Sequence, residues 1–138
     1  MNKQQILFLC SHNSARSIMA EALTNHFLSD KFEAQSAGIE KTQVRSKTKI
    51  VLEELGINSS KLYSKHLNDF VQKEIDHVVT VCDFANEFCP TFPKAKNFHH
   101  WSFPDPSKFE GTDEEVENYY RKIRDEIKDK ILSFGKNF

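Results

Sequence analysis

Cysteine is scarce in this chain: three residues, an odd number, at positions 10, 82 and 89. That excludes a disulfide scaffold and leaves metal binding, redox chemistry or nucleophilic catalysis. Long apolar runs are missing too. No stretch approaches the roughly 20 residues of a membrane span, and the start, Met1-Asn2-Lys3-Gln4-Gln5, carries no signal-peptide run. Excess charge of either sign is absent. A formal net charge of −1 offers nucleic acid or an anionic membrane little to hold. No internal repeat, low-complexity segment or linker interrupts the chain. What is present is 138 residues, 38% hydrophobic and 28% charged, the balance of one domain with its own core. The domain is expected to span 1–138, to be cytoplasmic and to act as a monomer, with neither nucleic acid nor membrane as a partner.

Hydrophobic patterning alternates between two periods. Gln5 to Leu9 reads as a buried strand, and Ser14 to Leu28 as a helix with Ile18, Met19, Ala22, Leu23 and Phe27 inward. Phe32 to Ala37 is a second strand, closed by Gly38. Lys47 to Leu55 is a helix with Ile50, Val51 and Leu55 inward and Gly56 at its C-cap. Asp69 to Gln72 reads as a short helical turn. His77 to Val81 is β-branched and reads as a third strand; Lys96 to His100 is a fourth. Between them, Asp83 to Phe88 reads as a short helix stopped by Pro90. Pro104 to Thr112 is a loop. Glu114 to Phe134 is a long amphipathic helix with Val116, Tyr120, Ile123, Ile127 and Ile131 on one face, its start favoured by the acidic run Asp113-Glu114-Glu115. The order predicts an α/β fold: a four-stranded parallel sheet with helices on both faces. Ligands bind such sheets beyond the carboxyl ends of the strands, where the strand order reverses. Cys10, Cys82 and the segment after His100 all follow strand ends.

Cys10-Ser11-His12-Asn13-Ser14-Ala15-Arg16-Ser17 sits between the first strand and the first helix. Its length suits a loop whose N–H groups converge on one tetrahedral oxyanion, backed by a helix N-terminus. Arg16 can grip two oxygens at once. Cys10 then lies in a field that favours thiolate, which makes it a nucleophile. Ser17 can donate to its sulfur, Asn13 can brace the loop, and His12 can either tune the thiol or face solvent. The competing interpretation is a buried inert cysteine and a surface arginine.

Two further features bear on that loop. Prolines flank Asp105 in Phe103-Pro104-Asp105-Pro106 and fix its direction. A carboxyl so presented can act as a general acid if a neighbouring anion raises its pKa. Cys82 and Cys89 bracket six residues. A helix between them would hold the sulfurs about 10 Å apart, beyond the roughly 7 Å Cα separation of a disulfide. Closing the pair would need the segment to move, as in thiol–disulfide exchange. The alternative is two unrelated cysteines, one in the strand and one in a loop; a zinc site from them with His99 and His100 is conceivable but disfavoured, because adjacent strand residues point apart. Trp101 reads as a core or rim aromatic. His26, His66 and His77 are isolated and receive no role.

These residues together resemble the thioredoxin-coupled arsenate reductases, which share the fold of the low-molecular-weight protein tyrosine phosphatases (phosphotyrosine phosphatase I-like). The likeness rests on Cys10-x-x-Asn13-Ser14-x-Arg16-Ser17-x-Met19-Ala20-Glu21, Ser36-Ala37-Gly38-Ile39, Glu54-Leu55-Gly56-Ile57, Val78-Val79-Thr80-Val81-Cys82, Cys89-Pro90, His100-Trp101-x-Phe103-x-Asp105-Pro106 and Arg124-Asp125-Glu126-Ile127. It implies reduction of arsenate, with phosphate or sulfate as mimics, and recycling by thioredoxin. In that scheme Cys10 attacks arsenic, Arg16 and the loop hold the oxygens, and Asp105 protonates the departing hydroxyl. Cys82 and Cys89 resolve the adduct as a pair. No cofactor or metal is implied for the chemistry. A potassium site of some members maps to Asn13, Glu21 and Ser36, but the fourth, acidic position is Lys65, so weak or no potassium dependence is expected. Two other departures are Ala15, where many members have a further cysteine, and Arg45-Ser46, where many have asparagine-proline; the latter is read as a changed loop cap. A phosphatase for phosphotyrosine or a small phosphoester is the alternative. Ser107-Lys108-Phe109 after the Asp-Pro pair lack the tyrosines of a phosphotyrosine slot.

Overall fold

The computed structural model describes residues 3–83 and 92–138. Among the described residues seven regular elements follow one another: β1 (Gln4–Cys10), α1 (Arg16–Phe27), β2 (Phe32–Gly38), α2 (Ser46–Glu53), β3 (Ile75–Thr80), β4 (Ala95–His100) and α3 (Asp113–Gly135). The anticipated helix at 83–88, and Cys89 with it, falls outside the described residues beyond Asp83.

All four strands are parallel, in the order β2-β1-β3-β4. The chain leaves β1 toward β2, then returns past it to place β3 on the other side. β1 is therefore where strand order reverses, and its carboxyl end is the crevice this topology opens to a ligand. Ile6 and Phe8 point to one face of the sheet and Leu7 and Leu9 to the other. All four are buried, so both faces are covered. α1 packs against β1 and β2 and touches α2 and α3. The core is continuous from Phe32 and Leu23 through Val78 and Val79 to Ile123 and Ile127.

The helix boundaries differ from the sequence expectation where tertiary contacts compete. α1 starts at Arg16, because Ser14 and Ala15 complete the preceding loop. Phe27, expected inward, is 37% exposed, with the Lys128 ammonium 4.9 Å from its ring. In α2 the inward pair is Val51 and Leu52, whereas Ile50 is exposed. The helix is only eight residues long, and which of its apolar residues turn inward depends on α3 rather than on its own pattern. The turn expected at 69–72 lies earlier, as a 3-10 turn over Leu67–Asp69 capped by His66, whose Nδ1 accepts from the Asn68 N–H. A second 3-10 turn, Pro106–Lys108, interrupts the expected loop. α3 begins with a capping box: Thr112 Oγ1 accepts from Glu115 N, and Glu115 Oε1 accepts from Thr112 N. Gly56 has φ of 82°, as its expected C-cap place requires.

His77 has a role that its isolation in the sequence hid. With His99 it sits in an aromatic cluster of Phe32, Trp101, Phe134 and Phe138, which fastens the last turn of α3 to the sheet. His99 and His100 diverge as adjacent strand residues must. His99 meets His77, while His100 meets Thr80 and Asp83. The two histidines therefore share no centre, and Cys89, the other ligand such a zinc site would draw on, lies outside the described residues.

Candidate active site

The residues from Cys10 to Ser17 wrap the carboxyl end of β1. Cys10 is the last residue of the strand and is buried. The loop is held from outside by its own carbonyls. The carbonyl of Ser11 accepts from Glu40 N, that of His12 from the hydroxyls of Thr42 and Ser64, and that of Ser14 from Arg45 N and the Thr48 hydroxyl. Among the described residues, no protein group accepts from the backbone N–H of any residue from Ser11 to Ser17. Carbonyls turned outward and amides left unspent make a nest for an oxyanion, at the N-terminus of a helix that adds positive potential.

Asn13 makes the loop's sharpest turn, with φ of 50°, a region asparagine tolerates better than most side chains. It is fully buried and fully bonded. Its Oδ1 accepts from Lys65 N at 2.7 Å, and its Nδ2 donates to Ser17 Oγ at 2.7 Å and to Ser36 Oγ at 3.0 Å. Ser17 Oγ lies 2.9 Å from Cys10 Sγ. Because Ser17 already accepts from Asn13, its hydrogen is left for the sulfur, the direction that favours a thiolate. Gly38, paired with Cys10 in the sheet, lets the loop close down. A Cβ there would stand 2.7 Å from the Glu40 carbonyl and 2.9 Å from Asn13 N.

Behind the loop, Ser36 donates to Glu21 Oε1 at 2.6 Å, and Lys65 Nζ reaches the same oxygen at 3.3 Å and the Tyr63 carbonyl at 3.0 Å. Asn13, Glu21 and Ser36, the potassium-site candidates, are thus brought together. The Lys65 ammonium, 8% exposed, supplies a positive charge beside them.

Arg16 and Asp105 meet across the loop. Arg16 Nη1 donates to the Phe103 carbonyl at 3.1 Å, and Nη2 is 3.4 Å from Asp105 Oδ2. Ser107 holds the other carboxylate oxygen with both its N–H and its hydroxyl. Burial pushes the Asp105 carboxyl up, but the Ser107 hydroxyl, the Arg16 charge and the Ser107 N–H together bring it below the ordinary carboxylate value. These contacts favour the ionised carboxylate, so a role as acid depends on an oxyanion arriving to offset Arg16. Ser107 stood out in the sequence only as a position without the tyrosine of a phosphotyrosine slot, not as the partner of Asp105. Its signal was available, since a serine two positions after an aspartate is the pattern of an Asx-type turn.

Cys82 follows β3, which pairs with β1 at Leu9 and Thr80. It is buried, and its sulfur is 3.3 Å from Ser11 Oγ. The structure therefore brings Cys82 to the loop that carries Cys10, with one hydroxyl of that loop as intermediary. Cys89 lies outside the described residues. His12 is paired instead with Glu40, at 3.5 Å, and half exposed. Ala15 caps α1 without a side-chain bond.

This geometry has known counterparts. Residues 5–137 match the family model for low molecular weight phosphotyrosine protein phosphatases. An arsenate reductase of Halalkalibacterium halodurans is 42% identical over 98% of this chain and 97% of its own length. A solved arsenate reductase in the phosphate-binding state superposes with a TM-score of 0.82 at 26% identity, covering 97% of this chain and 98% of that one. A thioredoxin-dependent arsenate reductase of Corynebacterium glutamicum superposes with a TM-score of 0.75 at 28% identity, over 99% of this chain and 62% of that one.

Proposed function

We propose that this chain, which belongs to the low molecular weight phosphotyrosine protein phosphatase family, is an arsenate reductase that uses its own thiols as reductant and thioredoxin to regenerate them. The observation that carries the reading is the approach of Cys82 to the anion loop through Ser11. A hydrolase regenerates its nucleophile with water and has no use for a second thiol there; a reductase requires one.

The steps follow from the groups in place. Arsenate occupies the unspent amides of the loop, with Arg16 on two oxygens. Its negative charge offsets Arg16 and lets Asp105 hold a proton. The Cys10 thiolate attacks arsenic, the As–O bond opposite breaks, and Asp105 protonates the leaving hydroxyl to water. The Cys82 thiolate then attacks Cys10 Sγ. The S–As bond breaks with its electron pair left on arsenic, which departs as arsenite, and a Cys10–Cys82 disulfide remains. Cys89 attacks Cys82, forming Cys82–Cys89 and releasing the Cys10 thiolate. Thioredoxin reduces that disulfide and closes the cycle. Two thiols are oxidised for each arsenic reduced by two electrons.

The test is arsenate-dependent oxidation of reduced thioredoxin. Wild type turns over repeatedly. Cys82→Ser releases no arsenite, and Cys89→Ser releases about one equivalent and stops. Full multiple turnover by either variant rejects the relay. Arsenate left unreduced while an aryl phosphate is cleaved returns the protein to the phosphatases.

A further inference from the structure

The chain that leads to Cys82 is fixed as far as Val81 by main-chain bonds on both flanks. Val81 N donates to the Leu9 carbonyl at 2.9 Å on the β1 side. On the β4 side, Trp101 N and Phe103 N donate to the Thr80 and Val81 carbonyls at 2.8 and 3.2 Å. Just past Cys82 the hold is made by side chains. Asp83, the next residue, reaches to the end of β4, where its Oδ1 accepts from His100 Nε2 at 2.9 Å. The arsenate chemistry derived above uses neither of these two residues.

The donor is itself aimed. Thr80 and His100 are the last residues of β3 and β4 and pair in register, so their side chains share a face. Thr80 Oγ1 lies 2.8 Å from His100 Nδ1. An ionised carboxylate can only accept, so Nε2 carries a hydrogen. In the neutral ring, Nδ1 then accepts from the Thr80 hydroxyl. In the charged ring it donates to that hydroxyl, whose hydrogen turns to the His99 carbonyl at 3.4 Å. Either form presents the same N–H to Asp83. The His100 hydrogen bond and the Ser102 hydroxyl, helped by the charges of His100 and Arg16 against burial, hold the Asp83 carboxyl below its ordinary value. Cys82 is thus bracketed. β3 fixes the chain before it, Ser11 of the anion loop meets its sulfur at 3.3 Å, and His100 fixes the residue after it. The Asp83 side chain is 78% exposed, and a pair so exposed adds little to the stability of the fold. What it restricts is the backbone of the residue that carries the second thiol, where a small misplacement is felt as rate.

Resting on the reductase reading above, we infer that His100 is a positioning residue for the second thiol: through Asp83 it sets where Cys82 stands once the arsenic adduct has formed on Cys10. Anion binding and the attack of Cys10 on arsenic are complete without it. The step it governs is the attack of Cys82 on Cys10 Sγ, in which the S–As bond breaks and arsenite leaves. His100 and Asp83 act as a unit, so the loss of either has the effect of losing both.

The experiment measures arsenite released by the full chain in a single turnover without thioredoxin. Wild type is compared with His100→Phe, His100→Gln, Asp83→Ala and the double variant His100→Phe with Asp83→Ala. In the same preparations, alkylation of Cys10 by iodoacetamide and its protection by inorganic phosphate are read on the Cys10 peptide by mass spectrometry. His100→Phe and Asp83→Ala are each expected to slow release roughly fivefold, the upper end for one exposed ion pair. Cys10 alkylation and phosphate protection stay within about twofold of wild type. His100→Gln keeps a donor near the place of Nε2 and restores release to within about twofold. The double variant is no slower than either single one, whereas independent effects would multiply to about 25-fold. Unchanged release in His100→Phe, or multiplied losses in the double variant, overturns the positioning role and leaves the reductase standing. A slowing matched by an equal loss of Cys10 alkylation or phosphate protection also overturns it, because the damage then lies in the anion loop. Wild type that releases no arsenite overturns the reductase reading, and this role with it.

Discussion

Ser17 is the residue through which the rest of the site reaches the nucleophile. It accepts from Asn13 and so has one hydrogen to give, to Cys10. Ser17→Ala removes that donor while Asn13 keeps its bond to Ser36, so the fold should survive. Single-turnover arsenite formation should slow about tenfold, as expected for one charge-assisted hydrogen bond; an unchanged rate would make the contact structural only. Lys65 carries the other residue-scale prediction. Its ammonium stands beside Glu21, Ser36 and Asn13, so potassium chloride should not raise activity severalfold over sodium chloride at equal ionic strength. Lys65→Met strands a carboxylate that is only 13% exposed. It should cost about 3–5 kcal/mol in urea unfolding. A potassium activation of several-fold in wild type would defeat this account. The gathering of Cys10, Arg16 and Asp105 at one loop was legible in the sequence because loop length and flanking prolines constrain them locally. The hold of Ser107 on Asp105 was missed, and the contact of Ser11 with Cys82 was illegible, because it joins residues just beyond two strands whose pairing only the folded sheet determines.

At the scale of elements, hydrophobic period and turn residues marked all four strands and the three described helices. They failed where an element is short. The inward set of α2 was misjudged at Ile50, and the turn near Leu67 was placed too late. The long helix α3 was read correctly along its buried face, but its anchorage was not. Its last turn is fixed by rings from three strands, including two histidines. His77 Nε2 bonds Gln4 Oε1 at 2.6 Å, and Nδ1 is 3.1 Å from His99 Nε2. In the neutral ring that gives Nε2–H to Gln4, Nδ1 accepts from His99 Nε2–H, an arrangement that two neutral rings complete. Burial lowers both histidines below their ordinary 6.5; the His99 charge adds to this at His77, against Asp76, and Lys130 adds to it at His99. The unfolded chain therefore takes up these protons first as pH falls. Stability is complete above about pH 6.5 and declines below it. The thermal midpoint should fall by roughly 5 °C between about pH 6.5 and 5.5, and less so in His99→Gln. A profile flat across that window, or one that rises on acidification, would contradict the neutral pair.

Across the whole molecule, one sheet edge gathers what the sequence scatters. Cys10 and Cys82 are 72 positions apart in number, yet they leave neighbouring parallel strands, and Asp105 follows the next strand over. The expectation that strand ends would converge was sound because parallel topology obliges it.

Gly38 has a consequence for anyone who would move this chemistry elsewhere. The eight residues from Cys10 to Ser17 look like a portable cassette. Their shape, however, is imposed by β2, which lies so close that a Cβ on Gly38 would stand 2.9 Å from Asn13 N, and by Lys65 and Ser36 bracing the asparagine from behind. Excised as a peptide, or transplanted into a foreign strand–helix junction, the loop would lose the walls that mould it. A graft would have to carry residues 36, 38 and 65 with it.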